Sequence, residues 1–233
     1  NVNIVEMAES YKMAAGNLLY AVNSIFTHRS DVKENPYKVF GIRYSQYIKA
    51  EMDYSFTHIF DNRNSLAVHA GLGVAYPYGN SRILPFEKRF YGGGANGVRG
   101  WDVRTLGPGT FDASNSVSSF INQCGDIRLD MSVEYRAKLF WVIETALFID
   151  AGNIWTIHNY ENQPGGMFHF NSFYKELAAA YGLGIRLNFD YFLLRFDMGM
   201  KAHNPAAGQE PWPLIHPKWG RDSSFHFSIG YPF

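Results

Sequence analysis

The residues best placed to do chemistry lie in a glycine-rich run at residues 90–101, which reads FYGGGANGVRGW. Arg99 is the one charged side chain of this run. Glycine permits tight and left-handed backbone, so such a loop can carry a charge deep into a confined space. A guanidinium placed there can bond carboxylates through a planar fork that lysine lacks. Taken alone, the run also fits an ordinary flexible surface loop, and its neighbours must decide.

The segments around this run alternate apolar and polar residues with a period of two, as β-strands do. Many have ten or more residues, whereas strands of soluble proteins average about five or six. Their apolar faces carry Tyr and Phe near both ends, as an aromatic girdle would. We therefore predict an all-β fold, a transmembrane antiparallel β-barrel, rather than a soluble sandwich with its polar face outward. The alternating segments are 39–60, 65–78, 126–139, 141–155, 181–190, 194–201 and 225–233.

Composition excludes several classes. The 233 residues carry 21 basic and 21 acidic side chains, which does not indicate a nucleic-acid partner. No apolar stretch is long enough for a membrane helix, and the mean hydropathy of −0.21 suits a barrel with a polar lumen. Cys124 is the single cysteine and is interpreted as an incidental thiol. We expect no cofactor and no metal, since His58, His69, His203 and His226 are scattered without ligand spacing.

Short and long connections alternate along the chain. We predict tight links at Asp61–Asn64, Ala137–Trp141 and Asn188–Tyr191, and long ones at 79–124, 156–176 and 202–223. Strict alternation places the two kinds at opposite ends of a barrel. Outer-membrane barrels have short periplasmic turns and long outer loops, so we expect the C-terminus on the periplasmic side.

The chain divides into residues 1–37, a segment that fits either a strand or an outer loop, and residues 38–233, which form the barrel wall. In the first part, Leu18–Phe26 reads as a strand and Ile4–Ala15 as a short helix or loop, without a capping signal. Since the chain starts at Asn1 without a signal peptide, we expect a processed or partial chain. About seven or eight strands are expected in all, and an eight-stranded barrel has no room for loop 79–124 in its interior. An open half-barrel exposes unpaired edges to lipid, which favours part of a larger barrel.

Four sequence elements, in order, resemble the BamA/TamA superfamily of barrel assembly proteins. GVRGW at 97–101 resembles the sixth-loop signature, SVEYR at 132–136 the strand after it, and FIDAG at 148–152 the family's F-x-D-x-G motif. The terminal aromatic strand is the fourth. The resemblance covers about residues 38–233 and implies the last half of a sixteen-stranded barrel. The residues on either side of the glycine run are most similar to the TamA-like (TamL) branch of Bacteroidetes.

This resemblance implies an integral outer-membrane protein that is not an enzyme. It would assemble and insert outer-membrane β-barrel proteins, or translocate proteins, through a barrel seam. Its partners would be the lipid bilayer, unfolded outer-membrane protein clients, and periplasmic or inner-membrane accessory proteins. The alternatives are a dedicated protein-secretion pore or a passive porin-like channel and, more distantly, a soluble adhesion module.

The resemblance also implies a plug loop that locks to the inner wall. The plug-loop motif is Gly97, Val98, Arg99, Gly100 and Trp101, and the expected inner-wall partners of Arg99 are Glu134, Phe148, Asp150 and Gly152. Alternation agrees, because it puts the carboxylates on polar faces and offers the Phe148 ring for stacking. The alternative is that Glu134 and Asp150 only balance lumen arginines such as Arg128 and Arg136.

The last strand is expected to form one side of the seam. Its predicted residues are Phe225, Phe227, Ile229, Gly230, Tyr231 and Phe233. Gly230 and Pro232 should weaken its pairing, since proline has no N–H to donate. An unsatisfied strand edge can then template an incoming strand by β-augmentation.

Overall fold

A computed structural model describes residues 4–26, 36–113, 119–189, 191–230 and 232, and nearly all of its regular structure is β-strand. Two short 3₁₀ helices lie at Phe86–Lys88 and Phe173–Glu176. The other elements, in chain order, are β1 (Ile4–Ala15), α1 (Asn17–Phe26), β2 (Lys38–Val39), β3 (Ile42–Arg43), β4 (Tyr47–Ile59), β5 (Asn64–Pro77), α2 (Ser119–Asn122), β6 (Ile127–Phe140), β7 (Ile143–Trp155), β8 (Ala178–Asn188), β9 (Leu193–His203) and β10 (Ser223–Ile229).

Eight strands form one antiparallel sheet in the order β1-β4-β5-β6-β7-β8-β9-β10, and β2 pairs only with β3. The predicted antiparallel all-β architecture of seven or eight strands is confirmed. Long strands follow because every backbone group in a bilayer needs a partner, which a continuous ladder supplies. Within the part of the chain that the structure describes, β1 and β10 are the two edges and do not pair with each other.

The two faces of the sheet differ as a membrane barrel requires. On the outer face large apolar side chains are exposed, for example Leu72, Val74 and Tyr76 of β5. The alternate positions of the same strand point inward, where Ala67 and Ala75 are fully buried. An apolar outer band and a filled inner side are the pattern of a strand wall between lipid and lumen.

The N-terminal segment reverses both expectations for it. Ile4–Ala15, expected as a short helix or loop, is strand β1 and pairs with β4 along all 12 residues. Leu18–Phe26, expected as a strand, lies in helix α1. Gly16, at φ +80°, turns the chain out of the sheet before the helix begins. Among the described residues, no helix is long and apolar enough to cross a membrane.

Two other predicted boundaries were wrong. Segment 39–60 is not one strand, because Phe40 and Gly41 have positive φ and close the tight β2–β3 hairpin ahead of β4. The tight link expected at Ala137–Trp141 starts later, since β6 continues to Phe140 across a register irregularity after Lys138. Both differences come from local turn geometry, which alternation does not encode.

The connection between β5 and β6 folds back against the inner face of the sheet. Isolated bridges join Phe90 to Gly125 at its base and Gly92 to Leu106 further in. We call the described residues of this connection, 78–113 and 119–126, the plug loop, which the sequence predicted as 79–124. The last described strand, β10, ends at Ile229, and Gly230 follows it with φ +95°. Tyr231 and Phe233, predicted as seam residues, lie outside the described residues.

Candidate functional site

The tip of the plug loop is a tight hairpin that presents Arg99. The amide of Gly94 donates to the carbonyl of Trp101 at 2.9 Å, and the amide of Trp101 donates to the carbonyl of Val98 at 3.2 Å. Gly94 has φ +95°, a backbone that favours glycine. The apolar side chains of the tip pack against the wall in a buried cluster, whose members are Val98, Trp101, Leu106, Ala178 and Ala180.

Arg99 is 1% exposed and is gripped by Asp150 of β7. Its Nε and Nη2 donate to the two carboxylate oxygens of Asp150, both at 2.8 Å. The backbone amide of Arg99 donates to the same carboxylate at 3.0 Å. This is the bidentate geometry that only a guanidinium offers, with an extra bond from the main chain.

The other edge of the guanidinium meets two further strands. Nη1 lies 2.6 Å from Glu134 Oε2 on β6 and 3.3 Å from Asp197 Oδ2 on β9. Nη2 donates to the hydroxyl of Ser132 at 3.2 Å, and that hydroxyl donates to Asp150 at 2.7 Å. The ring of Phe148 lies under the guanidinium, 3.5 Å from Cζ to the ring centroid. The guanidinium of Arg99 thus contacts side chains of three strands and fixes the plug tip to them. We call this set of side chains the lock, and its members are Arg99, Ser132, Glu134, Phe148, Asp150 and Asp197.

Strand register explains why these side chains meet. One row of cross-strand partners runs across five neighbouring strands, from β6 to β10. Its members, in that order, are Glu134, Phe148, Gly182, Gly199 and Ser224. A Cβ on Gly182 would overlap the Phe148 ring, and one on Gly199 would overlap the carbonyl of Arg99. Gly182 therefore leaves room for the Phe148 ring, and Gly199 leaves a trough in the wall in which the backbone of the plug tip lies.

Three further arginines surround this site. The sequence analysis named Arg136, as an arginine that Glu134 and Asp150 could balance, and did not single out Arg186 and Arg195. Arg136 lies 2.6 Å from Glu134 Oε1, Arg186 lies 2.7 Å from Glu134 Oε2, and Arg195 lies 3.2 Å from Asp197 Oδ2. Arg195 also donates to the carbonyl of Ala95 at 2.8 Å and to Asn96 Oδ1 at 2.7 Å, both in the plug tip. Their signal was the polar parity of β6, β8 and β9.

Arg186 and Arg195 occupy directly opposed positions of β8 and β9, and both are fully buried. Like charges facing each other across strands repel, so carboxylates must lie between them. Glu134 lies beside Arg186 and Asp197 lies beside Arg195, and each carboxylate also pairs with Arg99. Burial alone would lower the pKa of Arg99, but hydrogen bonds and charge from Asp150 and Glu134 raise it above its usual value, so the guanidinium stays charged.

Gly152, expected as an inner-wall partner of Arg99, lies elsewhere. Among the described contacts none joins Gly152 to Arg99. Gly152 instead faces Asp130 of β6, and a Cβ there would press on the backbone of that strand. Glu144, which shares the polar parity of Asp150, accepts a hydrogen bond from Asn188 at 3.1 Å. The partners that the structure brings to Arg99 from the predicted set are Glu134, Phe148 and Asp150.

The predicted seam strand shows two different faces. Phe225, Phe227 and Ile229 are 71%, 62% and 70% exposed on the outer, lipid-facing side of β10. The inward residues were not predicted as site residues. His226 lies 3.0 Å from the carbonyl of Arg99 through Nε2, and Ser224 donates to the carbonyl of Gly100 at 3.2 Å. The last strand therefore contacts the plug tip directly.

His69, expected to be an isolated histidine, belongs to a second polar cluster on the inner face. Its Nε2 lies 3.1 Å from Asp130 Oδ2 and 3.7 Å from Asp53 Oδ1, so the three side chains could in geometry hold a metal ion. Arg128 already lies 2.9 Å from Asp130 and 2.6 Å from Asp53. A cation would have to displace this guanidinium, and we interpret the cluster as an ion-pair network.

Cys124 lies at the base of the plug loop and is 1% exposed. Burial raises the pKa of its thiol, although the guanidinium of Arg89, 3.1 Å from Sγ, opposes that shift. Arg89 also lies 3.1 Å from a carboxylate oxygen of Asp126. A buried thiol whose pKa is raised is the environment of a structural rather than a reactive cysteine.

Comparisons with known proteins match this architecture. The model of the Omp85 superfamily domain matches residues 28–233. The chain is 30% identical over 122 residues to the outer membrane protein assembly factor BamA of Neisseria meningitidis serogroup B (strain ATCC BAA-335 / MC58), which covers 50% of this chain and 15% of that protein.

Two solved structures are also similar. BamA from Haemophilus ducreyi lacking POTRA domains 1–3 superposes with a TM-score of 0.54 at 17% identity, over 79% of this chain and 35% of that one. CdiB from Acinetobacter baumannii gives a TM-score of 0.46 at 18% identity, over 79% of this chain and 27% of that one. The chain thus spans a minor part of each relative's length. The match to the family model covers most of this chain, and the chain belongs to the Omp85 superfamily of non-enzymatic outer-membrane barrel proteins.

Proposed function

We propose that this chain is the C-terminal half of an outer-membrane barrel that assembles and inserts other outer-membrane β-barrel proteins. In this proposal the plug loop is held against the inner wall by Arg99, and clients enter at the seam beside β10. The family match and the similarity to BamA support the general class of function.

The single observation that carries the proposal is the burial of Arg99 among Glu134, Asp150 and Asp197. Burying one guanidinium with three carboxylates is costly, because the negative charges outnumber the positive one. The further positive charge comes from Arg136, Arg186 and Arg195. A passive pore gains little from such a construction. A barrel that must hold its lumen loop in one place while its wall is disturbed by a client gains a fixed reference point.

The edges of the sheet support the position of the client site. The described strands leave β1 and β10 without partners on their outer sides, and lipid does not tolerate open edges. Additional strands must complete the wall, and within the described part of the chain β10 pairs with β9 over 7 residues. A short pairing is the part of a barrel wall that a client strand displaces most easily. With the short turns on the periplasmic side, the C-terminus of β10 faces the periplasm.

Depletion of the protein in its native bacterium tests the proposed function. We expect the folded amounts of many unrelated outer-membrane barrels to fall together, because an assembly factor acts on all its clients. Quantitative proteomics of the outer-membrane fraction measures this, with lipoproteins as the control class. If a single co-expressed exported protein were lost and the barrels kept their levels, the protein would be a dedicated secretion pore.

A further inference from the structure

We infer that Ser224 and His226 are positioning residues that tie the seam strand β10 to the tip of the plug loop, so that release of the plug loosens the seam. The inference rests on the proposed function and assigns it a means of regulation. Both side chains point to the inner face and are buried, whereas Phe225 and Phe227 between and beside them point to lipid.

The contacts are specific in direction. A carbonyl oxygen only accepts hydrogen bonds, so the Nε2 of His226, 3.0 Å from the Arg99 carbonyl, carries a proton. The hydroxyl of Ser224 donates to the carbonyl of Gly100 at 3.2 Å. The plug backbone thus supplies two successive acceptors and β10 supplies two donors. Neither bond uses the Arg99 guanidinium, which is occupied on the other side by Asp150 and Glu134.

The wall is shaped for this contact. Ser224 is the cross-strand partner of Gly199, and His226 is the partner of Asp197. Since Gly199 has no side chain, the backbone of Arg99 and Gly100 reaches the wall at that point, which brings the Arg99 carbonyl to His226 and the Gly100 carbonyl to Ser224. Asp197 is itself 3.3 Å from Arg99 Nη1. The plug tip therefore spans from β7 through β9 to β10. The guanidinium of Arg99 attaches it to β7 and β9, and its main-chain carbonyls attach it to β10.

The consequence is a coupling between plug and seam. β10 is held on one side by its ladder with β9 and from the lumen by the plug tip. Coupling between two sites is reciprocal in free energy. A displaced plug leaves β10 with the ladder alone, and a client strand that pulls β10 aside withdraws two hydrogen bonds from the plug.

Hydrogen–deuterium exchange on the complete native protein in lipid bilayers tests this coupling. We expect the double variant Ser224→Ala, His226→Leu to exchange the amides of residues 223–229 about tenfold faster than the unmodified protein, since two hydrogen bonds stabilise that strand. Arg99→Ala, which changes no side chain of β10, should also speed exchange in this segment. Amides of β4 serve as the internal reference.

Two variants separate positioning from general packing. His226→Gln keeps an amide donor and should restore most of the protection, whereas a merely space-filling role would not favour it over leucine. Ser228→Ala, at the next inward position of β10, should change nothing. Where the double variant does not fold, Ser224→Ala alone should give about threefold faster exchange.

Unchanged exchange of 223–229 in the folded double variant, or in Arg99→Ala, would overturn the inference. Because exchange is measured on the protein alone, this outcome is independent of the depletion experiment. If both variants speed exchange in 223–229 but depletion leaves the amounts of outer-membrane barrels unchanged, the proposed function is rejected and the coupling between the plug loop and β10 stands.

Discussion

Arg99→Ala is expected to lower the free energy of unfolding by about 3–5 kcal/mol, the usual cost of breaking a buried ion pair. Asp150 loses the two hydrogen bonds from the Arg99 guanidinium, and the donors that remain for it are the backbone amide of residue 99 and the hydroxyl of Ser132. Glu134 suffers less, because Arg136 and Arg186 remain beside it. Urea unfolding of the complete protein in lipid vesicles, followed by tryptophan fluorescence, measures the loss.

Arg99→Lys is the matched control. Lysine keeps the positive charge but offers no planar fork to Asp150, so we expect it to recover only part of the loss. A lysine variant as stable as the unmodified protein would mean that the carboxylates need only a balancing charge. The fixed geometry of the lock would then be dispensable.

Gly199→Ala should be nearly as damaging, although it adds a single methyl group. The new Cβ would overlap the main-chain carbonyl of Arg99, and a main chain cannot step aside as a flexible side chain can. Overpacking of this kind costs about 1–3 kcal/mol, and we expect the upper end of that range. Faster proteolysis of the plug loop in the folded barrel would show that its tip has left the trough.

The double variant Gly199→Ala, Arg99→Ala tells whether the damage acts through the plug. If Arg99→Ala has already displaced the tip, the added methyl group finds empty space and should cost little more. Full additivity of the two losses would show instead that Gly199 is needed for the strand itself, and the trough would have no role in seating the plug.

Much of the wall could be predicted from alternation alone. Alternation placed Glu134, Phe148 and Asp150 on the polar faces of their strands, the family resemblance implied that they are partners of Arg99, and the structure has them beside Arg99. The sequence pattern also separated the long connections from the short ones. This works because side chains of a strand alternate strictly between lipid and lumen, and each environment accepts a different chemistry.

Alternation shows which face of the sheet a residue is on, but it does not show the height of that residue along the barrel axis. Asp197 and Arg186 fall at polar positions of the alternating segments 194–201 and 181–190, but their distance from Arg99 depends on strand register, which turns and irregularities such as the one after Lys138 determine. The N-terminal segment failed for another reason. In β1, Glu9 interrupts the apolar parity of Met7 and Tyr11, and only pairing with β4 reveals the strand.

The role of two glycines could not be predicted from the sequence either. Gly182 and Gly199 read as small residues on polar faces, and nothing in their neighbours distinguishes them. Their meaning comes from what approaches them, the Phe148 ring and the carbonyl of Arg99. The same holds for Ser224 and His226, whose partners lie more than one hundred residues earlier in the chain.

A double-mutant cycle between Arg99 and Asp150 tests the lock most directly. Arg99→Ala, Asp150→Ala and the double variant are compared by urea unfolding of the complete protein in lipid vesicles. If the two side chains act as one buried unit, the double variant should lose little more than either single variant, with a coupling of about 2–3 kcal/mol. Losses that add within about 0.5 kcal/mol would show that Arg99 and Asp150 are independent, and the plug loop would not be locked to the wall by this pair.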